Sequence, residues 1–444
     1  MGGEWAPINL GQVCTKIGSG ATPRGGSDVY LDSGRYALIR SQNVYNDGFH
    51  HDGLAYIGQK HAAELDGVEV LTDDVLLNIT GDSVARVCQV DPGVLPARVN
   101  QHVAIIRPDP DKLDPRFLRY FLVSPEMQVK LLSWAGSGGT RNALTKGMIE
   151  SFDVLAPEDI DEQRAIAHIL GTLDSKIELN RRMNETLESM ARALFRSWFV
   201  DFDPVSAKAE GRDPGLPRPL ADLFPNAFED SEFGEIPRGW EVGPVERLCD
   251  SITSGGTPAR MNPLYWNGGS IPWFKTGELL DGPLIESEEH ITDAALEQSS
   301  CKLWPAGTIL FALYASPTVG RLGVLTRPGT SNQAAAGLIA KPTIGVPFLR
   351  RLLLDARVKL QTIAVGAAQQ NINQAVLKAH RVVMPTGKVA SAYSRLIAGA
   401  DERQVALAKE ASTLAALRDT LLPKLISGEL RVRDAEAFLE RATA

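Results

Sequence analysis

The chain has 444 residues, 44% of them hydrophobic, and a formal net charge of −8 at pH 7. This length exceeds one ordinary hydrophobic core and predicts two or three domains, while the acidic balance disfavours strong autonomous binding to nucleic acid. No apolar run approaches the roughly 20 residues of a membrane-spanning helix, and the four cysteines form no CxxC pair, so we expect no membrane association, no disulfide framework and no cysteine-based zinc site.

The N-terminal part predicts a mixed α/β domain. Short β-rich runs separated by Gly, Pro and Asp turns are typical of strands. The predicted strands are Tyr36–Arg40, Val75–Ile79, Val84–Val90 and His102–Arg107. An amphipathic period predicts a helix over Leu113–Leu132, with Pro115 in its first turn, where proline is tolerated. Pro347–Ile363 has the same period in the C-terminal half and also predicts a helix.

A long helix is predicted next, because Asp161–Phe199 contains no proline and only one glycine, Gly171. Apolar residues recur in it at alternating steps of four and three, which is typical of a helix that packs against another helix. The predicted seam is Ile166, Leu170, Leu173, Ile177, Asn180, Asn184, Leu187, Ala191, Leu194 and Trp198. Residues 201–238 are rich in Pro, Gly and charged residues and predict a linker.

The sequence after the linker repeats the sequence before it, 235 residues later, which indicates an internal duplication. The matching residues are Trp5 with Trp240, Cys14 with Cys249, Ser19 with Ser254, Thr22 with Thr257, Arg40-Ser41 with Lys275-Thr276, and Arg86 with Arg321. Slightly smaller offsets match Asn100-Gln101 with Asn332-Gln333, Asn142 with Asn371, and Pro157 with Pro385. The loops between these positions diverge. This favours two domains that bind one kind of ligand but recognise different features of it; the alternative is an old duplication without functional asymmetry.

A second seam with similar steps follows the second copy. It consists of Tyr393, Leu396, Ala400, Arg403, Leu407, Glu410, Leu414, Leu417 and Leu421. Two seams of matching length bury each other most simply as an antiparallel pair; the alternative is that each helix packs onto its own domain. Polar seam residues, Asn180 and Asn184 on one helix with Arg403 and Glu410 on the other, would fix the register at some cost in stability.

These patterns predict an α/β fold in which two similar mixed α/β domains are separated by two long antiparallel coiled-coil helices, with an internal pseudo-two-fold repeat. The predicted segments are a first domain at 1–157, a central helix at 158–200, a linker at 201–238, a second domain at 239–386, a C-terminal helix at 387–430 and a tail at 431–444.

The helical regions carry a family resemblance. The string from Leu179-Asn-Arg-Arg-Met to Phe202-Asp-Pro-Val205 resembles the central conserved region of type I restriction–modification specificity subunits, and Leu417–Leu430 resembles their C-terminal conserved region. Trp240, the Ser254-Gly-Gly-Thr-Pro258 turn and Ile271–Gly277 are similar to the start of their target-recognition domains. The resemblance covers nearly the whole chain in the right order.

In that family each target-recognition domain recognises one half of a split, asymmetric DNA sequence, and the paired helices set the gap between the halves. The resemblance implies that residues 1–157 and 239–386 are such domains in a non-catalytic subunit of the bacterial or archaeal cytoplasm. The implied partners are double-stranded DNA, methyltransferase subunits and restriction (translocating endonuclease) subunits. No cofactor is expected in this chain; S-adenosylmethionine, ATP and Mg²⁺ are expected in the partner subunits. The alternative is a specificity subunit of a related methyltransferase-only or fused restriction system.

The residues themselves predict no catalytic site. Asn262-Pro263-Leu264-Tyr265 resembles the Asn-Pro-Pro-Tyr signature of amino-methyltransferases, but no Gly-rich cofactor-binding turn precedes it, and the alternative is a turn with a core aromatic residue. Gly18–Gly26 and Gly136–Gly139 lack the Lys-Ser/Thr of a phosphate loop, and the histidines have no metal-binding spacing. Two other classes stay open, a catalytic methyltransferase and a duplicated adaptor without a DNA role.

Polar residues that recur in both copies are the predicted DNA contacts, because Arg and Lys reach guanine edges or phosphates while Asn and Gln pair with adenine. In the first domain they are Ser19, Thr22, Arg40, Ser41, Arg86, Thr140, Arg141 and Asn142. In the second domain they are Ser254, Thr257, Lys275, Thr276, Arg321, Gln369, Gln370 and Asn371. For any one of them the alternative is a turn-forming or capping role.

Overall fold

The computed structural model describes residues 4–136, 142–314, 317–365 and 372–435. The chain divides into two compact units. The first consists of Met1–Ile177 together with Thr413–Ala444, and the second of Glu178–Ser412. Each unit therefore contains one copy of the repeat and a part of each long helix.

The first copy of the repeat is built from short strands and helices and is followed by a long helix. Its strands are β1 (Trp5–Asn9), β2 (Cys14–Ser19), β3 (Tyr36–Ile39), β4 (Val44–Tyr45), β5 (Gly48–Phe49), β6 (Ala55–Ile57), β7 (Glu69–Val70), β8 (Val75–Asn78), β9 (Val87–Gln89), β10 (Ala97–Val99), β11 (Val103–Pro108) and β12 (Asp153–Pro157). Its helices are α1 (Leu10–Val13), α2 (Gln59–Glu64), α3 (Pro115–Val123), α4 (Pro125–Gly136), α5 (Lys146–Glu150) and the long α6 (Ile160–Phe199).

The rest of the chain has the same kind of elements. Its strands are β13 (Phe228–Ser231), β14 (Gly234–Pro237), β15 (Glu241–Pro244), β16 (Cys249–Ser254), β17 (Ile271–Phe274), β18 (Pro283–Leu284), β19 (Glu289–Ile291), β20 (Ile309–Ala312), β21 (Leu322–Leu325), β22 (Thr330–Ser331), β23 (Ala335–Ala340) and β24 (Arg381–Met384). Its helices are α7 (Asp203–Ala209), α8 (Arg218–Ala221), α9 (Asp293–Gln298), α10 (Val346–Val365), α11 (Gln374–Ala379) and the long α12 (Gly387–Ile426).

The two domains share most of their sheet topology and differ by one strand in each sheet. The first has sheets of order β2-β11-β8-β9 and β6-β3-β10-β7, and the second has β16-β23-β20-β21-β18 and β19-β17-β22. In both, the pair β2/β11 or β16/β23 is antiparallel, whereas β3/β10 or β17/β22 is parallel. The prediction of two similar mixed α/β domains is confirmed. The four strands predicted in the first domain correspond to β3, β8, β9 and β11.

A short antiparallel pair of strands brings the two ends of each domain together. β1 pairs with β12, with Trp5 opposite Pro157, and β15 pairs with β24, with Glu241 opposite Met384. Because the last strand of each pair leads directly into a long helix, the domain and its helix are joined through only a few residues.

The helix predicted over Leu113–Leu132 is interrupted, so this part of the prediction is wrong. α3 ends at Val123 and α4 begins at Pro125, because Ser124 between them is extended, with φ −61° and ψ 144°. A proline sterically disfavours the helical conformation in the residue before it. The helix predicted over Pro347–Ile363 is confirmed by α10.

Residues 201–238, where the sequence predicts a linker, contain α7, α8 and the hairpin of β13 and β14. Three of their apolar side chains, Val205, Phe224 and Ile236, are buried in the core of the second unit. The ring of Trp198, at the end of α6, lies 5.0 Å from the ring of Phe224 in an edge-to-face contact. The segment therefore packs as part of the second unit.

The long helices α6 and α12 are each 40 residues long and contact each other within the second unit. There the Tyr393 hydroxyl donates a hydrogen bond of 2.8 Å to the carbonyl O of Ala191. The Gln404 side-chain amide donates one of 3.1 Å to the carbonyl O of Asn184. Contacts move backward along α6 as they move forward along α12, so the helices run antiparallel.

Contacts within the first unit have the same direction. Arg418 Nη1 donates to Asp174 Oδ1 at 2.8 Å, and Arg431, just after α12, pairs with Glu162 at 3.1 Å. The prediction of a long antiparallel helix pair is confirmed. The alternative, in which each helix packs only onto its own domain, is wrong because each unit contains contacts between both helices.

The C-terminal end of α12 completes the core of the first unit. Leu421 and Leu425 are buried in one hydrophobic cluster with Phe117 of α3. Beyond the helix, Gly428 has φ +75°, and a Cβ there would lie 2.8 Å from the indole of Trp5. The first domain therefore packs against residues from the end of the chain.

The phase of the α12 seam differs from the prediction. Leu396 and Arg403 are exposed, whereas Ile397 and Gln404 are buried. The first buried position after Tyr393 lies four residues later, whereas the prediction placed it three residues later. Both positions were therefore predicted one residue too early. One residue corresponds to a rotation of about 100° around a helix. Gln404 rather than Arg403 therefore supplies the polar contact between the helices. On α6, every predicted seam position is buried or half-buried.

Replacing Asn180 by leucine should raise the thermal midpoint of the chain by a few degrees. Asn180 is fully buried, and among the described residues neither atom of its side-chain amide has a hydrogen-bond partner. An unpaired buried polar group costs about 1–3 kcal/mol. Differential scanning calorimetry of Asn180→Leu measures the effect, and Ser189→Leu on the exposed surface of the same helix is the control. A lower midpoint for Asn180→Leu alone would contradict an unpaired amide.

Candidate nucleic-acid interface

The turns that follow β2 and β16 each contain a glycine at which the fold leaves no space for a side chain. A Cβ at Gly20 would lie 1.7 Å from the carbonyl O of Val99, and a Cβ at Gly255 would lie 2.3 Å from the carbonyl O of Asn332. Only glycine permits such close approach between two backbone segments. The recurrence of this turn in both copies therefore has a steric cause.

Both turns place a threonine hydroxyl against a glutamine. Thr22 Oγ1 donates to Gln101 Oε1 at 2.5 Å, and Thr257 Oγ1 donates to Gln333 Oε1 in the second domain. The two glutamines are exposed. They were not among the predicted contacts, although Asn100-Gln101 and Asn332-Gln333 match in the repeat. An exposed glutamine held by a threonine can present its amide to a base edge or a phosphate.

In the first domain this pair continues into a polar cluster. Gln101 Nε2 lies 2.9 Å from His102 Nε2, and His102 Nδ1 lies 2.6 Å from Thr80 Oγ1. Thr80 forms an isolated β-bridge with Ala143, and the exposed Asn142 is its neighbour. The structure thus brings Thr22 and Asn142 of the predicted set to one polar edge, together with side chains that the sequence did not single out. Ser19, at the end of β2, is exposed beside this turn.

Arg40 and Ser41 lie at the end of β3 and are engaged within the domain. The Arg40 guanidinium lies 5.2 Å from the ring centre of Tyr30, and its Nη2 donates to the Gly53 carbonyl at 2.5 Å. The Ser41 carbonyl accepts a hydrogen bond of 2.8 Å from Asn78 Nδ2. Both residues are half-buried, so these contacts compete with any contact to a ligand.

Arg86 lies on an aromatic platform. Its guanidinium is 4.4 Å from the ring centre of Tyr45, which stacks on His50 with 4.1 Å between ring centres. Arg86 is half-exposed. A cation over an aromatic face is attracted to it by about 0.5–1 kcal/mol at an exposed site. The platform therefore orients an arginine while leaving its donors available.

The equivalent positions of the second domain have different neighbours. Lys275 Nζ donates to Glu288 at 2.6 Å and lies 3.6 Å from Glu289, and the hydrogen bond to Glu288 raises the pKa of Lys275. Thr276 is only 6% exposed, so its side chain would have to be uncovered before it could reach a base. In the described part of the chain the half-exposed Arg321 side chain makes no hydrogen bond or ion pair.

Six predicted contacts remain. The structure describes one of them, Ser254, and the other five lie outside the described residues. Ser254 Oγ lies 3.4 Å from Gln374 Oε1, at the start of α11. The residues outside the described part of the chain are Thr140, Arg141, Gln369, Gln370 and Asn371. The assignment of these side chains to DNA contact stays a prediction, as it does for the described ones.

Groups with catalytic potential have structural roles where the structure describes them. The Asn262 side chain accepts from the Leu264 amide at 3.2 Å and caps a 3₁₀ helix, Pro263–Tyr265. Burial raises the pKa of the Cys88 and Cys249 thiols to about 12, so neither is a reactive thiolate at neutral pH.

The described ranges contain no group of three His, Cys, Asp or Glu side chains that could hold a metal ion. Nor is any helix in them long and apolar enough to cross a membrane.

Comparison with known proteins gives consistent similarities. A family model described as "Type I restriction modification DNA specificity domain" matches residues 2–189 and 237–388. The type I restriction enzyme HindI specificity subunit of Haemophilus influenzae is 26% identical over 476 residues, covering 96% of this chain and 100% of that protein. The MjaIX specificity subunit of Methanocaldococcus jannaschii is 26% identical, covering 71% of this chain and 69% of that protein. The S subunit of a type I system from M. genitalium has the same fold, with a TM-score of 0.60 at 15% identity over 95% of this chain and 96% of that one.

Replacing Gly20 by alanine should lower the thermal midpoint, because the new methyl group would clash with backbone and the turn would have to move. Forcing extra atoms into a packed site costs about 1–3 kcal/mol. Gly18→Ala is the matched control, since a Cβ there has only Lys16 Cε within reach, at 4.0 Å. Calorimetry of both variants is the measurement. Equal midpoints for the two variants would show that the turn does not require glycine.

Proposed function

The chain belongs to the family of type I restriction–modification DNA specificity subunits, and we propose that it recognises a two-part, asymmetric DNA sequence, one half-site by each copy of the repeat. The observation that carries the proposal is the turn after β2 and β16. Its glycine, its threonine and the threonine–glutamine hydrogen bond occur in both copies. Two equivalent threonine–glutamine turns in one chain suit two contacts with the same kind of ligand.

The two half-sites differ in sequence because the surroundings of the shared edge differ. Arg40 lies against Tyr30, whereas the matching Lys275 is ion-paired with Glu288. Arg86 is oriented by an aromatic ring, whereas Arg321 is free of described partners. Direct readout depends on which donors and acceptors meet each base edge. Different donors at matched positions therefore select different bases.

This chain does no chemistry in the proposed complex. Methyltransferase subunits hold S-adenosylmethionine, and restriction subunits hold ATP and Mg²⁺, in a bacterial or archaeal cytoplasm. The net charge of −8 supports a need for partners in DNA binding, since phosphate attraction is the main source of affinity for any duplex. In a methyltransferase-only or fused restriction system the same chain would recognise the same target with fewer separate partners.

The surface of α6 supports partner docking. Leu179, Met183 and Met190 are 50%, 36% and 66% exposed and lie on one face of the helix, at spacings of four and seven residues. Exposed apolar side chains that are grouped on one face are typical of contact sites for other proteins. We assign this face to a methyltransferase subunit.

Exchanging one domain should change one half-site only. A chimera in which residues 1–157 come from a relative with a different target is expressed with the partner subunits, and methylated adenines are mapped in the host genome. One half of the target should become that of the relative, because each polar edge lies within one domain. The reciprocal exchange of residues 239–386 should change the other half. Changes in both halves, or in neither, would end the two-domain proposal.

Lengthening the helix pair should lengthen the unspecified gap in the target. Four residues inserted in α6 after Ile177, with four in α12 before Thr413 to keep the seams facing, add about 6 Å of helix. This corresponds to up to about two base pairs at about 3.4 Å each. Both half-sites should keep their sequences, since no side chain of either polar edge changes.

Methylation mapping in cells that carry the partner subunits measures the gap. A four-residue insertion after Gly211, in an exposed turn outside the long helices, is the matched control and should leave the gap unchanged. An active helix variant with the original gap, or with altered half-site bases, would show that the helices do not set the spacing.

A further inference from the structure

The two long helices carry an aspartate at the same position, fourteen residues after the first residue of each helix. These are Asp174 in α6 and Asp401 in α12. Each is paired with side chains from the helix that follows the central strand of its domain, α3 or α10. Neither aspartate belongs to an apolar seam, so the hydrophobic pattern does not explain why both helices have an aspartate at this position.

In the first domain a continuous series of hydrogen bonds starts at this aspartate. Arg119 Nη1 donates to Asp174 at 2.7 Å, and Arg119 Nη2 donates to the carbonyl O of Asn46 at 2.8 Å. Asn46 Oδ1 accepts from the amide of Val87 at 2.8 Å. Val87 directly follows Arg86, the arginine on the aromatic platform. The series thus runs from the long helix to the residue that follows Arg86.

The second domain has a similar series, but it begins with an ion pair and not with a hydrogen bond. Arg350 Nη1 lies 3.8 Å from Asp401, whose hydrogen bonds come from the neighbouring Arg351 at 2.6 and 3.2 Å. Arg350 Nη2 donates to the carbonyl O of Asp281 at 2.6 Å. Asp281 Oδ1 accepts from the amide of Leu322 at 3.1 Å, and Leu322 directly follows Arg321. Asp281 follows Asn46 by the offset of the repeat, 235 residues.

The arginine in each series is buried, and both of its terminal nitrogens have polar partners. Arg119 is 8% exposed and Arg350 is 5% exposed. A second carboxylate, Glu188 of α6, lies 3.1 Å from Arg350 Nη1. Burial opposes the ionised form of Asp174, but the guanidinium groups of Arg119 and Arg418 outweigh burial and lower the pKa of Asp174. Asp174 is therefore charged at neutral pH.

A buried arginine whose two terminal nitrogens each have a partner fixes the position of one partner relative to the other, which a single contact does not. The planar guanidinium holds its donors at a constant angle, so a carboxylate on one arm and a carbonyl on the other are held at a set distance and orientation. Here one partner is a carboxylate on a long helix, and the other is a carbonyl in the loop whose side chain is hydrogen-bonded to the first residue of β9 or β21. The strand start cannot rotate without breaking the series.

We propose that Arg119 and Arg350 are positioning residues that hold Arg86 and Arg321 in a fixed orientation to the long helices. They contact no DNA themselves. The inference rests on the proposed function, because it assigns Arg86 and Arg321 to base or phosphate contact. Each arginine acts within its own domain, so its loss affects recognition of one half-site.

The test replaces each arginine by lysine. Lysine keeps the positive charge beside the half-buried carboxylate, but it has no second donor group that could reach the loop carbonyl at the same time. Each variant chain is assembled with its methyltransferase subunits, and methylation rates are measured on duplexes with single base changes in either half-site. Arg350→Lys should lower discrimination between correct and altered bases roughly tenfold in the half-site of the second domain, the size expected for losing one hydrogen bond from a charged group. Arg119→Lys should do the same in the other half-site.

A second pair of variants interrupts the first series of hydrogen bonds at Asn46. This residue is exposed, so its replacement disturbs folding less than replacement of a buried arginine. Asn46→Ala removes the acceptor for the Val87 amide, whereas Asn46→Asp restores the side chain that the second domain has at Asp281. The alanine variant should lose discrimination in the first half-site, and the aspartate variant should keep it. Arg395→Lys, on the exposed surface of α12, is the control for the exchange itself.

One-sided loss of discrimination, with the other half-site unchanged, supports the inference. Unchanged discrimination in both half-sites would overturn it, because a role in stability alone lowers the thermal midpoint without changing base preference. Equal loss in both half-sites would also overturn it. A wild-type complex that recognises no two-part sequence would instead refute the proposed function.

Discussion

Each of the two long helices carries an apolar stripe along most of its 40 residues, and a stripe of that length is unfavourable in water. Packing α6 against α12 removes both stripes from water at once. The rest of the architecture follows from this constraint. Each domain ends on a strand that leads directly into its helix, and each domain places an arginine against an aspartate of that helix. Within the pair, the Gln404 side chain donates to the backbone carbonyl of Asn184, a contact that depends on the register of the two helices.

The two domains keep a common frame and vary what lies around it. The frame consists of three kinds of group that have little freedom to change. They are the glycines that lie against another backbone segment, the threonine that is hydrogen-bonded to a glutamine, and the buried arginines that pair with the long helices. The variable part consists of exposed or half-exposed side chains whose neighbours differ, as at Arg40 and Lys275. A duplicated chain can diverge in the second set while folding through the first, which is the combination that two different recognition sites require.

The sequence predicts those features that depend on local chemistry or on a long period. Four strands of the first domain, both long helices and their pairing were predicted, because short β-rich runs and heptads are visible in a single sequence. The predicted phase of α12 was wrong after Tyr393. Leu396 and Ile397 are both apolar, so the sequence does not show which of them lies in the seam. The break at Ser124 was missed although Pro125 signals it. Gln101 and the series from Asp174 to Val87 join residues far apart in the chain, and no local pattern marks which polar residues will meet.

The first unit is discontinuous: its core includes Leu421 and Leu425 from the end of α12, and Gly428 lies against Trp5. The second unit is a single stretch of chain. During synthesis from the N-terminus, the second unit therefore has all of its residues before the first unit does. The N-terminal domain, although translated first, completes its core last. Until the C-terminal turns of α12 leave the ribosome, the apolar surface that will receive those leucines is uncovered and available to chaperones.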